Sequence, residues 1–153
     1  MNSIQLLMER NNLYPIFLKT EQLQILIVGG GFVALEKMCF LLKSSPDTNV
    51  TLVAPFFRGE TKEFAAMHNI QMIDDSYKKG YLKNKQIVIA TTDSIDVNIQ
   101  VYKDCKSKNI LVNVADNPPY CDFFMGGIVT KGNVKIAIST NGKSPTTAKR
   151  LRQ

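Results

Sequence analysis

Hydrophobic and polar positions along this chain follow two alternating rhythms. Continuous apolar, β-branched runs occur at Ile25–Val28, Val50–Ala54, Ile87–Ala90 and Ile110–Val114, with a shorter one at Ile70–Ile73. Segments with helical spacing stand between them. Leu35, Met38, Cys39 and Leu42 fall at i, i+3, i+4 and i+7 and so share one helical stripe. Val97, Val101, Tyr102 and Cys105 form another, with Asp96, Lys103, Asp104 and Lys106 mostly on the opposite side. A shorter helix is expected near Glu60–His68. Strands that are apolar throughout are buried on both faces, so the alternation predicts an α/β fold with a parallel sheet covered by helices on both sides. Tyr14–Leu18, closed by the polar Lys19–Gln22, predicts an additional edge strand.

After Asp116 the pattern changes. Asn117-Pro118-Pro119 interrupts the chain, and the runs Gly127–Thr130 and Val134–Ser139 then flank Lys131-Gly132-Asn133, a hairpin signal. Val134, Ile136 and Ile138 make one apolar face that a lone hairpin cannot bury, which predicts a partner surface on another subunit. The chain accordingly divides into a domain over 1–115 and a dimerisation region over 116–153. Near the end, Gly142-Lys143-Ser144-Pro145 places an N-cap before a proline at the first helical position, and Thr146–Arg152 begins a helix. About two turns are marginal for an unsupported helix, so this end reads either as truncated or as docked on something.

Chemistry enters with Gly29-x-Gly31-x-x-Ala34, which follows directly on the Ile25–Val28 run and opens the first helical pattern. A strand, a tight glycine turn and a helix N-terminus form the arrangement that holds a dinucleotide pyrophosphate. Gly29 permits the turn, Gly31 removes a Cβ from the path of the phosphates, and Ala34 lets the helix pack close to the strand. The phosphates then meet unpaired N–H groups at a positive dipole end. The domain over 1–115 is therefore expected to be Rossmann-like.

Composition narrows the setting. The 153 residues, 44% hydrophobic and 21% charged, suffice for one core and an appendage. No stretch reaches the roughly 18 apolar residues of a membrane span, and the N-terminus has no uninterrupted apolar segment, so a cytoplasmic protein without membrane contact is expected. Cys39, Cys105 and Cys121 are widely spaced without a C-x-x-C pair, and His68 is the only histidine, so free thiols and no metal site are expected. The net charge of +6 favours an anionic partner, but no RNA-binding signature or recognition-helix pattern accompanies it, which leaves a small polyanion or plain surface solubility rather than nucleic acid.

Three further stretches join the glycine motif in order: Leu13-Tyr-Pro-Ile-Phe-Leu18, Asn113-Val-Ala-Asp116 followed by Cys121-Asp-Phe123, and Ile138-Ser-Thr-Asn-Gly-Lys-Ser-Pro145. Together, from about Leu13 to Arg152, they resemble the precorrin-2 dehydrogenases of sirohaem biosynthesis, including the dehydrogenase/ferrochelatase part of sirohaem synthase. The resemblance implies oxidation of precorrin-2, a polycarboxylate tetrapyrrole, to sirohydrochlorin with NAD as hydride acceptor, in a homodimer. Some members also insert ferrous iron. Two departures stand out. Met125-Gly126-Gly127 stands where many relatives have a proline and small residues, and relatives usually continue past Arg152 with a further helical segment. Uroporphyrinogen methylation is not expected of this sequence.

Asp116 matches the family's catalytic aspartate, and at a strand exit its carboxylate could take the proton released as hydride departs. The alternative is an Asx-turn into Asn117-Pro118-Pro119. The expected NAD site comprises Gly29, Gly31, Phe32 and Val33, Pro55 and Phe56 after the second strand, and Thr91, Thr92 and Asp93 after the Ile87–Ala90 run. Asp93 could instead cap the helix beginning near Ile95. The acid that usually takes the adenosine ribose hydroxyls is replaced by Val53-Ala-Pro-Phe56, and Arg58 nearby could accept a 2′-phosphate, so NAD rather than NADP rests on the resemblance. Lys143 and Ser144 are candidates for binding a substrate carboxylate, with Ser144 as a helix cap the simpler alternative. His68, Cys121 and Asp122 read as structural. Besides the dehydrogenase, a bifunctional dehydrogenase/ferrochelatase and a catalytically silent NAD-binding redox sensor remain open.

Overall fold

The computed structural model describes residues 9–141, which form two compact units: Lys19–Phe123, and residues 9–18 together with 124–141. In the larger unit five parallel strands, β1 (Gln24–Val28), β2 (Asn49–Ala54), β3 (Gln71–Asp74), β4 (Ile87–Ala90) and β5 (Leu111–Val114), lie in the order β3-β2-β1-β4-β5. The α-helices are α1 (Phe32–Ser44), α2 (Gly59–Met67) and α3 (Ile95–Ser107). Right-handed crossovers place α1 and α2 on one face of the sheet and α3 on the other, because the chain reverses its direction of travel across the sheet between β3 and β4. The expected Rossmann-like sheet is present. No α-helix joins β3 to β4; the connection carries only a single 3-10 turn, Lys79–Leu82, with Leu82 buried as its anchor.

The central strand explains the continuous apolar run: Ile25, Leu26, Ile27 and Val28 are all buried. Leu26 and Val28 join Val88, Ala90, Val112 and Val114 against Val101 and Cys105 of α3. Alternation along each strand turns Ile25, Ile27, Ile87 and Ile89 to the opposite face. On α1 the buried residues are Ala34, Met38 and Leu42, while Leu35 and Cys39 of the expected stripe are half-buried at its border.

Two strand boundaries differ from expectation for one reason. Ile70 and Ile110 belong to the ends of the preceding helices. Asn69 and Asn109 adopt left-handed φ of 54° and 58°. Ile70 then donates to Ala65 O at 2.9 Å and Ile110 to Cys105 O at 3.0 Å, while Asn69 and Asn109 donate to Ala66 O and Lys106 O at 3.3 Å. Both are Schellman caps, with the following isoleucine buried as the hydrophobic closure.

Asp104, expected on the polar side of α3, is buried. Its carboxylate accepts from Tyr77 Oη at 2.8 Å and from Gln100 Nε2 at 2.9 Å, which ties the β3–β4 connection to α3. Asp93 does not cap this helix; Ser94 does, accepting from Val97 N at 3.2 Å.

In the smaller unit β6 (Gly127–Lys131) and β7 (Val134–Ile138) form the expected antiparallel hairpin. Register sets Val129 opposite Ile136, so Val129, Val134, Ile136 and Ile138 share a face, and Val134 and Ile136 are 61% and 52% exposed. The edge strand expected at 14–18 is absent: the segment is irregular, with Tyr14, Ile16, Phe17 and Leu18 exposed. Pro15 removes a backbone donor from its middle, which disfavours a ladder there. Asn11 Nδ2 anchors this segment to Ser139 O and Oγ, both at 3.3 Å.

Candidate dinucleotide site at the carboxyl edge of the sheet

β1 leads to β2 on one side and adjoins β4 on the other, so a crevice opens beyond the carboxyl ends of β1 and β4, the position at which open α/β sheets take ligands. The glycine turn forms one wall. Gly29 has φ +136°, and a Cβ there would collide with the Thr91 hydroxyl. Gly30 presses on the Phe56 carbonyl, a close approach that the strand–glycine–helix pattern did not mark. A Cβ on Gly31 would meet nothing within 4 Å. Its glycine thus leaves open space at the start of α1.

Neighbouring groups immobilise this turn through the Gly29 N–H and the carbonyls of Gly30 and Gly31. Gly29 N donates to Val53 O (2.9 Å), Arg58 N to Gly30 O (2.9 Å) and Thr61 Oγ1 to Gly31 O (3.2 Å). Thr61, buried on α2, was hidden from sequence reasoning because a threonine in a short helix carries no distinguishing pattern. The N–H groups of Gly30, Gly31 and the first residues of α1 have no hydrogen-bond partner among the described residues, and Gly31 supplies no side-chain cap. An uncapped helix N-terminus behind a Cβ-free turn fits a pyrophosphate in both shape and charge.

Phe32 and Val33 open α1, with the Phe32 ring 58% exposed. Pro55 and Phe56 lie exposed at the β2 exit. At the β4 exit Thr91 is buried and its hydroxyl donates to Val28 O at 2.9 Å, so it braces β1 against β4. Thr92 is shaped by Asn98, whose Oδ1 accepts from Thr92 Oγ1 at 2.6 Å and from Thr92 N at 3.2 Å. Asn98 is the second organising residue that the pattern did not reveal: it is a buried polar residue on a helix face expected to be apolar. Asp93 is exposed beside it.

Asp116 follows β5, next to β4. Ala115 N extends the ladder to Ala90 O (2.9 Å), and Asn117 N closes a turn onto Val114 O (3.1 Å), with Asp116 at φ +58°. Its side chain is exposed and makes no hydrogen bond or ion pair among the described residues, so it forms no Asx-turn. Beneath the turn Cys121 Sγ donates to Val114 O at 3.1 Å, and burial pushes its thiol above the ordinary range. Asp122 accepts from Val112 N at 2.9 Å and from Lys106 at 2.7 Å, fastening the 117–123 segment to β5. Both residues hold the turn in place. No cluster of three or more metal-ligating side chains occurs among the described residues. Lys143 and Ser144 lie outside them.

Glu60, Asp74, Asp75, Asp93 and Asp116 stand at the carboxyl edge together with Arg58 and Lys78, whereas Lys83, Lys85 and Lys108 surround a shallow depression at the amino edge.

The family described as "Putative NAD(P)-binding" matches residues 16–127, and one described as "Sirohaem biosynthesis protein central" matches residues 131–153. Among curated relatives, a siroheme synthase of Pseudoalteromonas translucida is 42% identical over 139 residues, covering 91% of this chain and 29% of the relative. A siroheme synthase of Psychrobacter arcticus is 38% identical over 141 residues, covering 92% and 25%. The chain therefore spans less than a third of these relatives. A solved structure of "SirC, precorrin-2 dehydrogenase" superposes with a TM-score of 0.77 at 26% identity, covering 92% of this chain and 67% of that one.

Proposed function

This chain belongs to the NAD(P)-binding family whose pattern spans residues 16–127, and on that premise we propose that it oxidises precorrin-2 to sirohydrochlorin in sirohaem biosynthesis, with NAD as the cofactor. The observation that carries this reading is the rigid glycine turn before the uncapped start of α1, with the Asp116 carboxylate, unpartnered among the described residues, two strands away along the same edge. The siroheme synthases and the precorrin-2 dehydrogenase structure support the choice of substrate.

Gly29, Gly31, Phe32 and Val33 would hold the pyrophosphate, with Pro55 and Phe56 lining the adenosine side and Thr92 and Asp93 the other wall. Thr91 acts here through the brace it makes to β1. NAD+ supplies a hydride acceptor. Oxidation of precorrin-2 releases one hydride and one proton, and the Asp116 carboxylate would take the proton before passing it to solvent. Asp116 has no competing donor among the described residues, which keeps its lone pairs available for that transfer.

The polycarboxylate substrate would be held in part by Lys143 and Ser144. The exposed Val134–Ile136 face of the hairpin supports a homodimer, in which each copy covers the other's apolar strand face. A cytoplasmic location suits the three thiols, none of which is paired in a disulfide.

Anaerobic incubation of precorrin-2 with NAD+ and the protein tests the reading. Equimolar NADH and sirohydrochlorin are expected; NAD+ binding with no turnover would refute the dehydrogenase assignment.

A further inference from the structure

We propose that Arg58 reads the 2′ position of the adenosine ribose and admits a 2′-phosphate, so that the site also binds the phosphorylated dinucleotide; this rests on the dinucleotide reading above. The β2 exit has no acid of its own, since Val53, Ala54, Pro55 and Phe56 occupy it. The adjacent strand exit carries two carboxylates: Asp74, exposed and paired with Ala54 in the ladder, and Asp75, whose N–H donates to Ala54 O at 3.1 Å. The Asp75 carboxylate is already engaged by the Tyr81 hydroxyl and by Lys78 Nζ at 3.1 Å, and these donors hold its pKa below the ordinary range. That leaves Asp74 as the acid of this exit available to ribose hydroxyls, and Arg58 as the group for a 2′-phosphate.

Arg58 is fixed where such a reader must stand. Its N–H is bonded to Gly30 O of the glycine turn, and its guanidinium lies over the Phe32 ring, 3.5 Å from the centroid. Stacking restricts the plane of the fork. Glu60 Oε2 holds only Nε, at 3.4 Å, and the two terminal Nη groups have no partner among the described residues. Those two groups present the parallel donors that recognise phosphate oxygens in bidentate fashion. Glu60 opposes them as the one carboxylate paired with this arginine, so it tempers the preference for the extra phosphate.

Calorimetric titration of the full chain with NAD+ and NADP+, and with the fragments 5′-AMP and 2′,5′-ADP, separates the possibilities. NADP+ should bind within about tenfold of NAD+. Arg58→Ala should weaken NADP+ and 2′,5′-ADP by about tenfold or more and NAD+ and 5′-AMP by less than about threefold, consistent with loss of a charge-assisted pair. Glu60→Gln should tighten the phosphorylated ligands severalfold. Equal weakening of both cofactors in folded Arg58→Ala protein, or wild-type binding of NADP+ more than about a hundredfold weaker than NAD+, overturns the inference. Failure of every one of these ligands to bind overturns the dinucleotide reading itself.

Discussion

Asp116 shows how a single residue can be plain in type and hidden in geometry. Its place after an apolar strand marks it as a crevice residue, yet the left-handed φ of +58° comes from a turn that depends on Val114 and Asn117 being held by the neighbouring strand and by Cys121. Aspartate tolerates that conformation better than most residues, and glycine tolerates it freely. Asp116→Gly and Asp116→Ala should both lower turnover by about a hundredfold or more, the range for a lost acid–base group, with NAD+ affinity changed less than about threefold. Steady-state turnover beside NAD+ titration checks this; retained turnover in the glycine variant would show that the backbone turn, not the carboxylate, is what matters. Thr91 gives the converse case. Its position after β4 suggested a cofactor contact, and the fold commits its hydroxyl to Val28 O.

Helices α2 and α3 owe their ends to asparagine rather than to glycine. Asn109 at φ +58° lets Ile110 turn back onto Cys105 and bury itself. Asn109→Gly should leave stability unchanged or slightly raised, whereas Asn109→Val should cost about 1–2 kcal/mol, the penalty for a left-handed β-carbon. Urea unfolding of the pair checks the sign. The stripe on α3 was legible from spacing, but Asp104 was misplaced because its partner Tyr77 comes from a connection far away in sequence. That burial also bears on pH. Lack of solvent, and then the nearby Asp104 charge, pushes the Cys105 thiol up to about 12. Burial, and then its hydrogen bond to Asp104, raises Tyr77 above the ordinary phenol range. Between about pH 9 and 12 the unfolded chain loses protons that the folded chain keeps, so stability should fall as pH rises through that window. Urea midpoints at pH 8 and pH 10.5 should show the decline, and Cys105→Ala should flatten it in part.

For the whole molecule, the strand order β3-β2-β1-β4-β5 puts the glycine turn and Asp116 on one edge, although 85 residues separate Gly31 from Asp116 in the chain. The same order brings Asp74, Asp75, Asp93 and Asp116 to that edge, with Arg58 and Lys78 among them, and leaves Lys83, Lys85 and Lys108 at the other. The hairpin predicts assembly. Ile136→Asp should convert a dimer to a monomer in sedimentation at micromolar concentration, while the melting temperature of the sheet unit changes little because Ile136 is 52% exposed in the single chain. A wild-type chain that sediments as a monomer would remove the dimer.

The order of strands and helices, the buried central strand, the hairpin and the glycine turn were determined by the sequence itself, because each rests on local periodicity or on a residue whose backbone freedom has no substitute. Ile25–Val28 can hardly be other than a central strand, and Gly29 and Gly31 can hardly be other than a turn beside it. Tertiary structure alone decided that Tyr14–Leu18 stays out of any sheet, that Thr61 and Asn98 brace the crevice, and that Arg58 lies over Phe32. Those outcomes depend on contacts between segments distant in sequence, whose geometry no local pattern encodes.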